Sequence, residues 1–337
     1  MSPDLSVVIC TFNRATMLRR ALATAAQQQT AEFSYEVVVI DDGSSDNTRA
    51  VVEEIAASTD IPVRYVREDS KAGIAVARNR GVTEARGAWI VFFDDDQLAD
   101  PDWLVSLMRV ARAQDAKIVG GARKLEIPEP QLASLGAVCR SILGESLYPG
   151  APEVLRGKDL PTTGNLLLSR AVFDAVGLFD VRLTSSGEDA DLITRARAAA
   201  FEVWTAPQAM VAHMIPPYRL EARYFRWVSL RWGNQFAYFD AKEGKARVLT
   251  RAVARAGQAL LVHVPRRLRA RLTGNAAAAL DAQCLLWRAQ GYVRTAALLL
   301  APGVFPQKHF LSELEFRLER ELFTRYAAAQ HEQDVQP

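Results

Sequence analysis

Three groups of carboxylates in this chain stand where carboxylates do chemistry. Asp94, Asp95 and Asp96 follow the apolar run 89–93, Asp41 and Asp42 follow the run 35–40, and Glu188, Asp189 and Asp191 cluster after Gly187. The run 89–93 is too short for a helix and too hydrophobic for a loop, so it reads as a buried strand. Three like charges side by side at its end are unfavourable unless a cation neutralises them. In open α/β sheets the C-terminal ends of strands are also where ligands bind. Asp94 and Asp96 therefore form an Asp-x-Asp pair suited to a divalent metal and its phosphate ligand, with a solvated acidic turn as the competing reading. The group at 188–191 has a plain explanation of its own, because carboxylates in the first turn of a helix are favoured by its dipole.

The elements that must position these groups repeat one arrangement. Residues 5–13 read as an apolar strand ending in small polar residues, followed by a helical pattern with Met17, Leu18, Ala21, Leu22 and Ala25 on one side. Residues 35–48 do the same: Gly43 allows a tight turn, and Ser44 to Asp46 can cap the next helix. That helix carries Val51, Val52, Ile55 and Ala56 on its inner side, and after residue 187 Leu192, Ile193, Ala196 and Ala199 fit a further one. Strands alternating with amphipathic helices imply βαβ units and a parallel sheet, whose polar strand ends collect along one edge.

Six segments carry a family resemblance. They are Ser-Val-Val-Ile-Cys-Thr-Phe-Asn-Arg at 6–14, Asp-Asp-Gly-Ser-Ser-Asp-Asn-Thr at 41–48, Gly-Ile-Ala-Val-Ala-Arg-Asn-Arg-Gly at 73–81, the stretch 87–96, residues 163–170 with 176–180, and Gly-Glu-Asp-Ala-Asp-Leu at 187–192. In order and spacing they resemble the successive signatures of family 2 glycosyltransferases, over about residues 4–215. The resemblance implies the GT-A fold: α/β, Rossmann-like, with a mixed and mainly parallel sheet flanked by helices, here followed by a helical C-terminal extension. Residues 1–235 are then expected to form the nucleotide-sugar-binding catalytic domain, 236–330 the helical region and 331–337 a tail.

The same resemblance implies roles for individual residues. Thr11, Asn13, Arg14 and the Asp41–Asp42 pair stand where such enzymes hold the donor nucleotide, Asp42 being preferred for the base and Asp41 for the turn. A carboxylate accepts a strong hydrogen bond from an imide N–H, which suits uracil, although thymine and guanine offer comparable groups. A UDP-sugar is the expected donor. Arg78 and Asn79 fall where the family places donor contacts, with a structural salt bridge the alternative for Arg78. Asp96 matches the metal-binding aspartate, with Asp94 as its partner and Asp95 beside them at the donor. His213 is the candidate third ligand, and a structural histidine is the alternative. Oxygen ligands point to Mg²⁺ or Mn²⁺, and an imidazole tilts the preference to Mn²⁺. Gly164 and Asn165 correspond to a loop touching the donor sugar or the acceptor. Asp189 of the Glu188–Asp189 pair corresponds to the general base, with Asp191 as the fallback. One base without a second, covalent carboxylate implies a single displacement with inversion.

Composition agrees with an enzyme and narrows the partners. At 337 residues and a net charge of +2, the chain can form one large domain or a domain with an appendage. Cys10, Cys139 and Cys284 are scattered without pair or metal spacing, so no disulfide scaffold is expected. The start lacks the pattern of a signal peptide, and no stretch reaches the roughly 18 apolar residues of a membrane span, so the cytosol is the expected compartment. Aromatic residues and arginines alternate over 218–239. Nucleic acid is not the expected partner, since the overall charge is nearly balanced; an acceptor-binding flap is expected, with core helix as the alternative. Over 246–264, Leu249, Val253, Leu260 and Val264 share one side of a helical pattern, Pro265 is expected to end it, and Arg266, Arg267, Arg269 and Arg271 follow. Such a helix can lie on an anionic membrane surface, at the inner face of the membrane, or pack on its own protein or in a homo-oligomer. Residues 277–300 and 311–329 read as two more helices. The expected acceptor is a glycan or lipid-linked saccharide. Two other functions compete: a sugar nucleotidyltransferase, which should have a glycine-rich loop where residues 9–14 have none, and a catalytically inactive nucleotide-sugar-binding scaffold.

Overall fold

The structure, a computed structural model, describes residues 2–68, 73–157, 160–183 and 187–305. It divides into two compact units, one of Met1–Glu126 with Ser146–Met214 and the other of Ile127–Glu145 with the chain from Ile215 onward.

In the first unit the short apolar runs become strands and the periodic segments become helices. β1 (Leu5–Thr11), β2 (Tyr35–Asp41), β3 (Val63–Arg67) and β4 (Trp89–Asp94) alternate with α1 (Ala15–Ala25), α2 (Thr48–Ala57) and α3 (Ile74–Glu84). All four strands are parallel, in the order β3-β2-β1-β4. Residues alternate between two core layers, Val7, Ile9, Val37 and Val39 entering one and Val8, Val38 and Ile40 the other. α1 buries the five residues its pattern predicts, Met17, Leu18, Ala21, Leu22 and Ala25. Met17, Leu18 and Leu22 each contribute about 1.5–3 kcal/mol by leaving water. Register then does the functional work: Thr11 lies opposite Asp41 and Cys10 opposite Asp94, so the polar ends of three strands share one edge.

Beyond β4 come β5 (Gln97–Ala99), α4 (Trp103–Ala113) and β6 (Ile118–Glu126); the chain then passes through two short helices of the second unit, α5 (Glu129–Ala133) and α6 (Ala137–Ile142). β7 (Asn165–Ser169), α7 (Arg170–Val176), α8 (Glu188–Ala198) and β8 (Val203–Met214) complete the first unit. The sheet has eight strands in the order β3-β2-β1-β4-β7-β6-β8-β5, with β7 and β5 running antiparallel to their neighbours. It is thus the mixed, mainly parallel sheet that was expected.

Asn165 holds the junction of β7, β6, β8 and α4. It is buried, accepts from the Trp103 indole N–H at 2.8 Å, and donates to the carbonyls of Ala122 and Ala209, each at 2.9 Å. Asn165→Leu would orphan three buried polar groups, so we expect a loss of about 3 kcal/mol or more in urea unfolding. A loss under about 0.5 kcal/mol would contradict this scaffold role.

In the second unit α9 (Ala222–Ala241), α10 (Lys245–Gln258), α11 (Val264–Leu272) and α12 (Ala276–Leu300) follow one another. The aromatic–arginine stretch is a 3₁₀ turn (Pro217–Leu220) and α9, which buries Phe225, Val228, Ser229, Gly233 and Ala237. The change of composition near residue 235 lies within α9. α9 and α12 approach closely enough that a Cβ on Gly233 would meet the Arg288 carbonyl, and one on Gly291 that of Leu230. Cys139 on α6 and Cys284 on α12, 145 residues apart in sequence, are buried with their sulfurs 3.8 Å apart.

Pro265 does not end the helical run as expected. A π-helical turn (Ala259–His263) joins α10 to α11, and Pro265 sits in the first turn of α11. The longer i→i+5 ring accommodates the irregularity, and a first-turn proline forfeits only an N–H that needs no intrahelical partner. The expected helix over 311–329 and the tail lie outside the described residues.

Candidate functional site

The site assembles at the polar sheet edge of the first unit. Asp95 is buried and held from two sides: Thr11 Oγ1 donates to it at 2.7 Å and Arg14 Nη1 at 2.9 Å. The same Arg14 nitrogen reaches Asp96 at 3.3 Å. The middle carboxylate thus fixes the loop, and Asp94 and Asp96 bracket it. Asp96 is buried, with His213 Nε2 3.4 Å from its Oδ2, because β5 pairs with β8 in a register that sets Gln97 opposite His213. Asp94 is the open member of the three, with 39 % of its side-chain surface exposed to water. Its crowded surroundings push its carboxyl above the usual carboxylate range, and the charge on Asp96 adds to this. Burial does the same to Asp95, against the pull of Arg14.

The first two loops are stitched to each other. Asn13, with a positive φ of 51°, receives the Ser45 N–H on its Oδ1 at 2.7 Å and donates its own N–H to Ser44 Oγ at 2.8 Å. Asp41 is fully buried and committed to scaffold: it accepts from the Ser44 N–H at 2.8 Å, the Tyr65 hydroxyl at 2.5 Å and Arg67 at 3.3 Å. Asp42, one residue on, accepts from the Gly73 N–H at 3.2 Å.

Arg78 ties two carboxylate groups together. It is buried on α3, bonds Glu188 at the start of α8, and holds Nη2 4.0 Å from Asp94 Oδ1. Neighbouring Asn79 instead clamps the 177–180 loop, exchanging two 2.9 Å hydrogen bonds with the backbone of Phe179. Beside Glu188, burial and the Glu188 charge raise the proton affinity of Asp189, opposed by Arg78. Asp191 is spent on Arg195 at 2.8 Å, and Arg195 in turn bonds the carbonyls of Val176 and Leu178. Burial pushes the Cys10 thiol up to about 12, which excludes it as a nucleophile near neutrality.

Two side chains at the site carry no sequence signal. A Cβ added to Gly164 would come within 2.5 Å of Asp94 Oδ2, 2.5 Å of Gln97 Nε2 and 2.7 Å of Arg123 Nη1, so these three groups converge over the bare Gly164 backbone. Gln97 donates to Asp94 at 3.5 Å, and the Arg123 charge favours the ionised Asp94. Gln97 is an ordinary residue of a short strand, and Arg123 is one polar residue of β6 some thirty positions downstream. We expect Gly164→Ala to lower kcat/KM roughly 10²-fold by shifting these groups, with little change in Tm because flexible side-chain ends give way. Unchanged turnover would show that the convergence does not matter.

Among the described residues, no group of three His, Cys, Asp or Glu side chains is arranged to hold a metal by itself. Two bracketing carboxylates, Asp94 and Asp96, with an imidazole alongside nevertheless fit a hard divalent ion whose shell is completed by diphosphate and water. Gln97 Oε1 and Glu188 Oε2 are also buried acceptors without a hydrogen-bond partner among the described residues, and each can accept from a ligand's donor group.

The sheet order and the placement of the site define the class: this is the GT-A fold of the nucleotide-sugar transferases. The chain superposes on a mannosyltransferase from Pyrobaculum calidifontis in complex with GDP-Man and Mn²⁺, with TM-score 0.52 and 18 % identity, covering 97 % of this chain and 83 % of that one. It also superposes on residues 1–349 of S. aureus TarS in complex with UDP, with TM-score 0.53 and 16 % identity over 88 % of this chain and 90 % of that one. Residues 6–144 match the model of Glycosyl transferase family 2. Validoxylamine A glucosyltransferase of Streptomyces hygroscopicus subsp. jinggangensis is 41 % identical over 138 residues, which are 40 % of this chain and 32 % of the relative. A GalNAc(5)-diNAcBac-PP-undecaprenol beta-1,3-glucosyltransferase of Campylobacter jejuni is 32 % identical over 118 residues, 35 % of this chain and 38 % of the relative. The chain thus spans about a third of the length of these two relatives.

Proposed function

We propose that this protein moves a sugar from a nucleoside diphosphate sugar, with UDP as the carrier, to a hydroxyl of a glycan or lipid-linked saccharide, with inversion at the anomeric carbon. The observation that carries this reading is the bridge of Arg78 between Asp94 at the end of β4 and Glu188 at the start of α8. It couples a carboxylate pair suited to a metal diphosphate to a second pair containing a carboxylate of raised proton affinity. Asp42 receives the base, and Asp94 and Asp96, with His213 beside them, hold the divalent ion. When bound, that ion supplies charge neutralisation for the departing diphosphate.

Asp189 takes the acceptor's hydroxyl proton while the oxygen attacks the anomeric carbon. The bond from that carbon to the phosphate oxygen breaks, and the nucleoside diphosphate leaves with the electron pair. Two features favour Asp189 over Asp191 as the base: its proton affinity is raised, and Asp191 is occupied by Arg195. The name of the Campylobacter relative supports a lipid-linked acceptor, while the GDP-Man bound by the Pyrobaculum neighbour makes the base the point to test first.

The test is a thermal-shift panel of UDP, dTDP, GDP and CDP, each with Mn²⁺, Mg²⁺ or EDTA. A ligand selective for the folded state raises the midpoint. A rise with UDP and metal that EDTA removes supports the reading. A different winning nucleotide overturns the donor, no response to any overturns the nucleotide site itself, and a response without turnover of the donor favours the inactive scaffold.

A further inference from the structure

The second unit carries a surface that the transfer reaction does not use. Between Lys245 and Leu280 the sequence holds eight lysines and arginines and no aspartate or glutamate, in a chain whose whole net charge is +2. Along α10, the π turn and α11, large apolar side chains stand in water: Leu249, Val253, Leu260 and Leu268 are more than half exposed, Leu261 is 80 % exposed and Leu272 88 %. Their spacing explains why they act together. Leu249 and Val253 on α10 and Leu260 in the π turn follow the helical period on one side. The π turn then adds a residue to one turn, so that the stripe passes from Leu260 to Leu261 and resumes at Leu268 and Leu272. Arg266, Arg269 and Arg271 are exposed along α11, while Arg247 and Arg255 are engaged within the unit, by Asp240 and by the rings of Phe236 and Tyr292.

We infer that this face is a docking surface for an anionic lipid bilayer, on which α10 and α11 lie in the plane with the leucine stripe inserted below the headgroups. The charge decides between occupants. Two copies of the face would bring like-charged segments together, and a nucleic acid would leave the leucines uncovered. Anionic headgroups neutralise the arginines while the acyl boundary takes up the apolar stripe. The inference stands apart from the transfer reading, because none of these residues belongs to the site in the first unit.

The experiment is flotation of the full-length protein with vesicles of phosphatidylcholine alone and of phosphatidylcholine with phosphatidylglycerol. The protein should float with the anionic vesicles and stay in solution with the neutral ones. Leu260→Asp with Leu261→Asp should reduce the bound fraction at least about tenfold at unchanged Tm, since both side chains already face water. Arg269→Glu with Arg271→Glu should weaken binding, and raised salt should weaken the wild type. Wild-type protein that remains soluble beside anionic vesicles overturns the inference, as does an aspartate variant that floats like the wild type. Light scattering covers the alternative occupant: a dimer that the aspartate pair dissociates, with no flotation, would make this a contact between copies. Nucleotide-dependent thermal shifts report separately on the first unit, so either reading can fail without the other.

Discussion

Asp96→Ala is expected to abolish the thermal stabilisation by nucleoside diphosphate with metal and to lower turnover by about 10³-fold or more. The size follows from the work assigned to the ion. Neutralising the charge that develops on a departing diphosphate is worth several kcal/mol, and each 1.36 kcal/mol is tenfold in rate. The loss should not come from unfolding. Arg14 keeps its 2.9 Å contact with Asp95, and Thr11 keeps its own at 2.7 Å, so the loop that carries the motif retains both anchors. The Tm measured without ligand should therefore change far less than the ligand-induced shift does. EDTA should reproduce the effect on the wild type, whereas the variant, whose metal binding is already lost, should be insensitive to it. If Asp96→Ala responds to nucleotide and metal as the wild type does, the Asp94–Asp96 pair does not hold the ion.

Asp189→Asn should lower kcat by roughly 10²–10⁴-fold, the range of general-base contributions, and leave nucleotide-induced stabilisation intact. The amide fits the same space but cannot take a proton. The pH profile gives the sharper test. Burial and the neighbouring Glu188 raise the proton affinity of Asp189, so it is protonated at a higher pH than the ordinary aspartate value of about 3.9. Activity should therefore be present above that raised pKa and be lost as pH falls through it, giving an acid limb above the usual carboxylate range. In Asp189→Asn the limb should vanish along with the rate. Asp191→Asn serves as the comparison: its carboxylate is paired with Arg195, so its replacement should perturb α8 without removing the limb. A collapse of rate in Asp191→Asn with Asp189→Asn nearly normal would exchange their roles.

How far the site could be read without the fold differs from residue to residue. Asp94 and Asp96 announce themselves because an apolar run ending in several carboxylates is a local pattern, and strand ends in a parallel sheet are where such groups gather. The inner face of α1 is legible for the same reason, since its period lies within eleven residues. The division of labour inside each acidic pair has no such local mark. Asp41 differs from Asp42 because the Ser44 N–H, and Tyr65 and Arg67 on the adjacent β3, reach it. Asn79 and Asn165 belong to family-like motifs, yet both amides are used up by partners from other elements: the backbone of Phe179 for Asn79, and two carbonyls with the Trp103 indole for Asn165.

The sequence alone determined the alternation of strand and helix, the polar edge, the family resemblance and the carboxylates at the centre of the candidate site. All of these rest on hydrophobic runs, periods and motifs that span a dozen residues or fewer. Tertiary structure alone decided that Arg78 meets Glu188 across 110 positions, that Gln97 and Arg123 converge with Asp94 over Gly164, and that Cys139 meets Cys284. It also decided that Pro265 continues a helical run through a π turn and leaves a leucine stripe in water. The physical reason is the same in each case. A contact between distant positions is set by register and packing of whole elements, and a side chain's partner is known only once those elements are in place.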